Sequence, residues 1–193
     1  MTRLGILGGT FDPVHIGHLA SASEVHHQLG LDTVLLVPTN AQPLKPAPTA
    51  SASDRLAMCQ AAVEGDSRFA VSDVDIRRGG ATYSVDTLRD LRDQHPAAEF
   101  FFITGLDSLQ SLPKWRDYET LITLATFVGV TRPGHSFTQS DAPHVLVDVP
   151  GIEVSSTDIR NRVRTGAPIR YLVPNAVAQY VADHDLYLGG PHE

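Results

Sequence analysis

Short apolar segments alternate along the chain with longer segments in which apolar residues recur every three to four positions. The short segments are bounded by turn-forming residues, which is typical of buried β-strands, and the longer segments are typical of helices packed on one face. Strands that alternate with helices favour an α/β fold with a doubly wound, mostly parallel sheet. In such a sheet, ligands bind beyond the carboxyl ends of the strands, near the point where the strand order reverses.

The pattern predicts six strands, at 4–7, 33–37, 69–71, 100–103, 127–130 and 144–149. It predicts helices at 19–25, 54–63, 83–92, 158–163 and 175–182. Ser53 is the predicted N-cap of the second helix, and the segments 39–51 and 77–80 are predicted loops. Because there is neither an internal repeat nor a domain break, we expect a single domain over 1–188 and a disordered tail at 189–193.

The composition indicates an ordinary water-soluble protein, since 42% of the 193 residues are hydrophobic and 19% are charged. This length is enough for one domain with a sizeable core. No apolar run is long enough to span a bilayer, and the chain begins directly with a strand pattern, so we expect no membrane association and no signal peptide. The single cysteine, Cys59, lies in an apolar helical pattern and is expected to pack rather than react. These features predict a cytoplasmic protein.

The net charge of −7 argues against a protein that coats nucleic acid, because such a protein carries a basic surface. The same charge is compatible with an enzyme that binds nucleotides. A few arginine, lysine, histidine and amide groups can hold a triphosphate inside an acidic protein, and Mg²⁺ neutralises part of the phosphate charge.

The most specific motif lies between the first predicted strand and the first predicted helix: Gly8-Gly9-Thr10-Phe11-Asp12-Pro13-Val14-His15-Ile16-Gly17-His18. Glycines let the backbone approach a ligand closely, and a helix start presents unpaired N–H groups that suit phosphate. Taken separately, a Gly-Gly turn is common in α/β proteins, and a histidine at a helix start is usually a capping or surface residue. Their combination predicts charge stabilisation on a phosphoryl group.

A second motif lies near the end of the chain: Val154-Ser155-Ser156-Thr157-Asp158-Ile159-Arg160. Serine and threonine at a helix start are N-caps by default, and this explains one of the three hydroxyls. It does not explain the run of three followed by an arginine one turn later. Hydroxyls, free amides and a guanidinium at one helix start predict a second phosphate-binding site.

The two motifs together resemble the nucleotidylyltransferase superfamily, whose signatures are G-G-T-F-D-P-x-H-x-G-H and I-S-S-T-x-I-R, with Val154 here in place of Ile. The resemblance implies a Rossmann-like fold and adenylyl transfer. It implies that His15 and His18 bind the nucleotide triphosphate and stabilise the transition state. It also implies that the second motif, with Arg160, holds the β- and γ-phosphates of ATP.

Three further segments resemble bacterial nicotinate-mononucleotide adenylyltransferases. They are the segment around Tyr83 (81–88), the segment from Phe102 to Trp115, and the segment F-V-G-V-T-R-P-G at 127–134. The resemblance covers nearly the whole chain in the family's order. It implies direct in-line attack of the nicotinate mononucleotide phosphate on the α-phosphorus of ATP, which gives deamido-NAD and pyrophosphate in NAD biosynthesis. The implied partners are ATP, nicotinate mononucleotide and Mg²⁺ bound mainly through the ATP phosphates, without a protein metal site, and a homo-oligomer is left open.

The resemblance assigns a role to each matching residue. The implied catalytic residues are His15, His18 and Arg160. The implied ATP-binding residues are Gly8, Gly9, Thr10, Phe11, His15, His18, Gly105, Asp107, Ser155, Ser156, Thr157 and Arg160. The implied residues for nicotinate mononucleotide are Lys45, Thr82, Tyr83, Ser84, Trp115 and Arg132. Leu44 stands where the family usually has a histidine, so a third phosphate-facing imidazole is not expected.

Each of the less specific residues also has a structural explanation. Trp115, the only tryptophan, offers a face on which a pyridine ring can stack, and the alternative is packing in the core. Asp107 can accept hydrogen bonds from ribose hydroxyls or can cap a helix after Gly105. Lys45 can meet the mononucleotide phosphate or can lie in a solvated loop.

Two alternative functions remain at this point. One is another adenylyltransferase of the superfamily, acting on phosphopantetheine or nicotinamide mononucleotide. The other is a nucleotide-binding module without catalysis, which the fold by itself does not exclude.

Overall fold

The computed structural model describes residues 1–43, 46–131 and 143–189. Its centre is a six-stranded sheet with the order β3-β2-β1-β4-β5-β6, in which every neighbouring pair is parallel. The strands are β1 (Arg3–Gly9), β2 (Thr33–Pro38), β3 (Phe69–Val71), β4 (Glu99–Gly105), β5 (Thr126–Thr131) and β6 (His144–Asp148). The predicted doubly wound α/β fold is therefore confirmed, and the sheet is parallel throughout.

The strand order reverses between β1 and β4, and this fixes where a ligand can bind. In β1, Leu7 pairs with Leu36 of β2 on one side and with Ile103 of β4 on the other. The helices that follow β1 and β4 lie on opposite faces of the sheet in a fold of this order, which leaves a crevice at the carboxyl ends of the two strands.

The middle of β4 is buried on both faces, as expected for a central parallel strand. Phe100 and Phe102 point into one core cluster, and Phe101 and Ile103 point into another on the opposite face. Because side chains alternate between the two faces of a strand, four consecutive apolar residues serve two cores. This explains why the strand appears in the sequence as an unbroken apolar run.

Eight helices occur in the described part of the chain. They are α1 (Ile16–Leu29), α2 (Ala52–Val63), α3 (Val74–Arg78), α4 (Ser84–Gln94), α5 (Leu106–Ser111), α6 (Tyr118–Leu124), α7 (Ser156–Arg164) and α8 (Asn175–Asp183). A short 3₁₀ helix at Leu112–Lys114 follows α5. The sequence pattern did not predict α3, α5 or α6, because segments of five to seven residues are too short to show a helical period.

Three predicted boundaries were wrong for local reasons. Ser51 rather than Ser53 caps α2, because the Ser51 hydroxyl accepts a hydrogen bond of 3.1 Å from the Asp54 amide. Arg77 and Arg78 are not in a loop but form the last turn of α3. Tyr83 is the N-cap of α4 in extended conformation, so that helix begins one residue later than predicted.

The glycines of the first motif also differ from the prediction. Gly8 and Gly9 are the last two residues of β1, and the turn begins only after them. The prediction of a tail at 189–193 falls almost entirely on residues 190–193, which lie outside the described part. None of the helices in the described ranges combines the length and apolar character needed to cross a bilayer.

Cys59 provides a test of the packing around α2. Its side chain is fully buried, and burial raises the pKa of the thiol to about 12. Since the thiolate is the reactive form, we expect a disulfide reagent at pH 8 to leave the native protein unlabelled. The same reagent should titrate one thiol per chain in denaturant. Rapid labelling of the folded protein would show that the packing of α2 against α8 is looser than in the structure.

Candidate active site

The candidate site lies at the carboxyl end of β1, where Gly9 makes room for a ring. A Cβ atom on Gly9 would approach the Phe11 ring to 2.9 Å, which is closer than real contacts allow. Phe11 is only 2% exposed and has a positive φ of 51°. The Phe11 ring therefore packs against Gly9 at the end of β1, and the residues after Phe11 lead to the start of α1.

His15 and His18 form a stacked pair at the start of α1. Their ring centroids are 3.6 Å apart and the rings are inclined by 22°. The His15 amide donates a hydrogen bond of 3.2 Å to Nδ1 of His18, so a neutral His18 ring carries its proton on Nε2. The edge of Phe11 supports the His18 ring, with centroids 5.1 Å apart. Both imidazoles are thus held in place before any ligand binds.

The buried carboxylate of Asp12 connects the site to three other parts of the chain. The amides of Thr49 and Ala50 donate to its two oxygens at 2.7 and 3.0 Å, and the Tyr187 hydroxyl donates to Oδ1 at 2.8 Å. Arg160 donates to the main-chain carbonyl of Asp12 at 2.7 Å, and its guanidinium lies 3.8 Å from the carboxylate. Asp12 therefore positions the arginine that the sequence assigned to ATP.

Tyr187 is a functional neighbour that the sequence reasoning missed. Its side chain is 8% exposed, and burial together with the Asp12 carboxylate raises the pKa of its hydroxyl well above the usual range. The hydroxyl consequently stays protonated and keeps donating to Asp12. None of the motifs named above contains this residue.

The N-terminus of α7 packs directly against the first motif. The Ser156 hydroxyl donates to the Pro13 carbonyl at 2.8 Å, and Ser155 caps the helix by accepting from the Asp158 amide at 3.1 Å. Thr157 accepts a bond of 3.2 Å from Arg160. All three hydroxyls of the predicted phosphate site therefore already have protein partners. Arg160 has protein partners as well, and its positive charge and the helix amides are the predicted anion-binding groups.

Thr82, the first of the predicted mononucleotide residues that the structure describes, lies against the residues that follow β2. The Thr82 hydroxyl accepts from the Asn40 amide at 3.0 Å, and the Thr82 amide donates to the Ala41 carbonyl at 2.7 Å. These bonds hold the residues after β2 against the start of α4. Tyr83 and Ser84 follow as the cap and first residue of that helix, so its N–H groups are available for an anion.

Trp115 packs against the core, and core packing is one of the two explanations given for it above. It packs edge-to-face against Phe102 and Phe127, with centroid distances of 6.0 and 6.5 Å, and its indole N–H donates to the Ser111 hydroxyl at 3.3 Å. The side chain nevertheless remains half-buried at the edge of that core. One part of the ring is fixed by the core, and a stacking role for the rest stays a prediction.

Gly105 and Asp107 lie where β4 gives way to α5. Gly105 is the N-cap of α5 and is exposed, and Asp107 is exposed in the first turn of that helix. The predicted contact of Asp107 with a ribose stays an expectation. Lys45, Arg132 and the unusual Leu44 lie outside the described residues.

The described part of the chain contains no cluster of three His, Cys, Asp or Glu side chains suited to a metal ion. The Asp12 carboxylate, in the same motif as the two histidines, already accepts from three donors. That Mg²⁺ binds mainly through the ATP phosphates stays a prediction.

A family model described as cytidylyltransferase-like matches residues 6–162. The chain is 50% identical over 188 residues to a "Probable nicotinate-nucleotide adenylyltransferase" of Clavibacter michiganensis, which covers 96% of this chain and 94% of the relative. A protein of the same name from Streptomyces coelicolor is also 50% identical over 188 residues, covering 95% and 100%.

The structure also superposes on a Plasmodium falciparum nicotinic acid mononucleotide adenylyltransferase complexed with NaAD. The TM-score is 0.80 over 98% of this chain and 99% of that chain, and the sequences are 18% identical. At that identity the likeness concerns the fold alone, and it agrees with the Rossmann-like architecture expected from the motifs. With the family match spanning most of its length, the chain belongs to the cytidylyltransferase-like family and is a nucleotidyltransferase.

Proposed function

We propose that this protein joins ATP and nicotinate mononucleotide to give deamido-NAD and pyrophosphate. The main observation in support is the stacked pair of His15 and His18 at the start of α1. The hydrogen bond from Ser156 to the Pro13 carbonyl holds this part of the chain against the start of α7. Two helix N-termini, two imidazoles and Arg160 thereby converge at the carboxyl end of β1. The half-identical relatives named nicotinate-nucleotide adenylyltransferase support this choice of substrate.

The reaction needs no protein nucleophile, since the mononucleotide phosphate attacks the α-phosphorus directly and pyrophosphate leaves. Catalysis then consists of positioning the two substrates and stabilising charge on the crowded phosphorus. His18 is suited to this because the His15 amide donates to its Nδ1, so a neutral ring carries its proton on Nε2, the donor that we assign to a phosphate oxygen. Arg160, fixed by Asp12 and Thr157, would hold the β- and γ-phosphates.

The mononucleotide would occupy the other side of the crevice, between the start of α4 and the segment around Trp115. Main-chain N–H groups at Tyr83 and Ser84 supply donors for the nicotinate carboxylate. Arg116 lies over the Tyr83 ring at 4.5 Å and adds positive charge to this side. Such a pocket favours an anionic carboxylate over a neutral amide.

Mg²⁺ would enter with the phosphates of ATP and neutralise part of their charge, since the described residues include no cluster of His, Cys, Asp or Glu suited to a metal ion. A reaction that uses ATP and makes a precursor of NAD also fits the cytoplasmic location expected from the sequence. We assign no nucleic-acid or membrane partner.

A direct assay tests the proposal. Purified protein, ATP and Mg²⁺ are mixed with nicotinate mononucleotide, nicotinamide mononucleotide or phosphopantetheine, and the dinucleotide or dephospho-coenzyme product is separated chromatographically. Deamido-NAD should form fastest. Faster reaction with phosphopantetheine would assign a different adenylyltransferase, and no product with any acceptor would favour a binding module.

Replacing His18 with alanine should lower kcat by about 10²–10³, because one donor to the developing phosphate charge is lost. The control is His27→Ala, which removes an exposed histidine from the last turn of the same helix. Steady-state kinetics should show near wild-type turnover for the control. Equal turnover of both folded variants would remove His18 from the mechanism.

Arg160→Lys tests the arginine at the start of α7. A lysine keeps the charge but lacks the forked donor geometry that reaches Asp12 and a phosphate together. We expect a higher KM for ATP or a lower kcat, while the KM for the mononucleotide changes little. Arg164→Lys, on the exposed side of α7, is the matched control. If both variants give identical ATP kinetics, Arg160 acts as a structural residue only.

The wild-type enzyme should prefer nicotinate over nicotinamide mononucleotide by about 10²-fold or more in kcat/KM, since each hydrogen bond to a charged group contributes about 1.5–3 kcal/mol. The neutral amide would place its NH₂ group against N–H donors, which adds to its rejection. Side-by-side kinetics with the two mononucleotides measure the ratio. A ratio close to one would favour a dual-specificity enzyme instead.

A further inference from the structure

Arg55, on α2, is a buried cation that binds only main-chain carbonyls. It is 1% exposed. Its Nη1 donates to the carbonyls of Thr10 and Thr39 at 2.8 and 2.7 Å, and its Nη2 donates to the carbonyl of Asn40 at 3.1 Å. Nothing in the motifs pointed to this residue, because a single arginine in an amphipathic helix is usually exposed.

The three carbonyls belong to the loops that follow β1 and β2. Thr10 comes directly after β1, in the loop assigned to ATP, and Thr39 and Asn40 come directly after β2. The Thr39 amide also donates to the Gly9 carbonyl at 2.9 Å, so the two loops leave the sheet side by side. One guanidinium thus joins the two loops at the point where they separate.

From Asn40 the connection continues to the start of α4. The Asn40 side-chain amide donates to the Gly80 carbonyl at 2.8 Å, and its main-chain amide donates to the Thr82 hydroxyl at 3.0 Å. Thr82, Tyr83 and Ser84 are three of the residues assigned above to the mononucleotide. A continuous set of hydrogen bonds therefore runs from the ATP loop through Arg55 to the other substrate's pocket.

The buried charge of Arg55 restricts the positions of the three carbonyls around it. Burial lowers the pKa of its guanidinium from the usual value, and the nearby Asp12 carboxylate opposes that shift. A buried charge is costly unless its hydrogen bonds are made, so the carbonyls must stay in place around it. Fixed carbonyls in turn fix the directions of both loops.

We propose that Arg55 is a positioning residue that sets the mononucleotide pocket relative to the ATP loop. It touches neither substrate and acts through Asn40 and Thr82. The inference rests on the proposed function, because it assigns these residues to nicotinate mononucleotide. It predicts that a substitution which removes part of the hydrogen bonding of Arg55 changes the KM values of the two substrates unequally.

Arg55→Lys is the main test. One ammonium can serve the two carbonyls that converge on Nη1, but it cannot also occupy the position of Nη2 beside Asn40. We expect the KM for nicotinate mononucleotide to rise about tenfold or more, while the KM for ATP stays within about threefold. Asn40→Ala, which removes the bond to Gly80, should change the same KM in the same direction.

Arg92→Lys is the matched control. Arg92 also donates to two main-chain carbonyls, those of Ala98 and Leu124, and its guanidinium lies 4.1 Å above the Phe100 ring. These contacts are at the amino ends of β4 and β5, opposite the site. The control should lower the melting temperature without changing the ratio of the two KM values.

A double-mutant cycle between Arg55→Lys and Asn40→Ala separates positioning from general destabilisation. Because both act on one loop, their effects on the mononucleotide KM should be non-additive. Additive effects, or equal changes in both KM values, would overturn the proposal. If Arg55→Lys does not fold, an unchanged mononucleotide KM in Asn40→Ala would overturn it by itself.

Amide exchange gives a readout that does not depend on activity. The Thr82 amide, which donates to the Ala41 carbonyl, should exchange faster in Arg55→Lys than in the wild type or in Arg92→Lys. Unaltered exchange refutes the positioning role. If the wild type makes no deamido-NAD but exchange changes as expected, the proposed function fails and the loop connection stands.

Discussion

The geometry of the site depends on one buried carboxylate, that of Asp12. Three donors from distant parts of the chain converge on its oxygens: the amides of Thr49 and Ala50 and the hydroxyl of Tyr187. Its own carbonyl receives Arg160. A buried carboxylate that loses a partner becomes strongly unfavourable, so these segments are held together around it. His15 and His18 follow three and six residues later, so the backbone that leads to them is held in a fixed position.

Around this carboxylate, an acidic protein concentrates positive potential at one edge of its sheet. The net charge is −7, yet the carboxyl ends of the strands receive the N-termini of α1, α4, α5 and α7. In a parallel α/β fold every crossover helix begins at this edge, and its unpaired N–H groups face the ligand crevice. Arg55 and Arg160 add two cations there. The binding of phosphate thus follows from topology, and the overall charge does not oppose it.

Much of the fold could be predicted from the sequence, as could the close approach of the two motifs assigned to phosphate binding. Buried strands appear in the sequence as short apolar runs, and these runs located all six strands of the sheet. Long helices with an apolar face were located within a few residues at their ends. The three helices that were missed are short, and the misplaced cap of α2 shows why boundaries are less certain. Ser51 and Ser53 are chemically equivalent in the sequence, and only the position of the Asp54 amide distinguishes them.

The sequence by itself predicted which residues carry the chemistry, because His15, His18 and Arg160 stand in motifs whose residue types suit phosphate. It did not determine what holds them. The partners of Asp12 come from positions 49, 50 and 187, and Arg55 joins loops that are 29 residues apart, as the separation of Thr10 and Thr39 shows. Such contacts leave no periodic trace along the chain. They exist only after the sheet has brought the ends of its strands to one edge, where buried charges must find their hydrogen bonds.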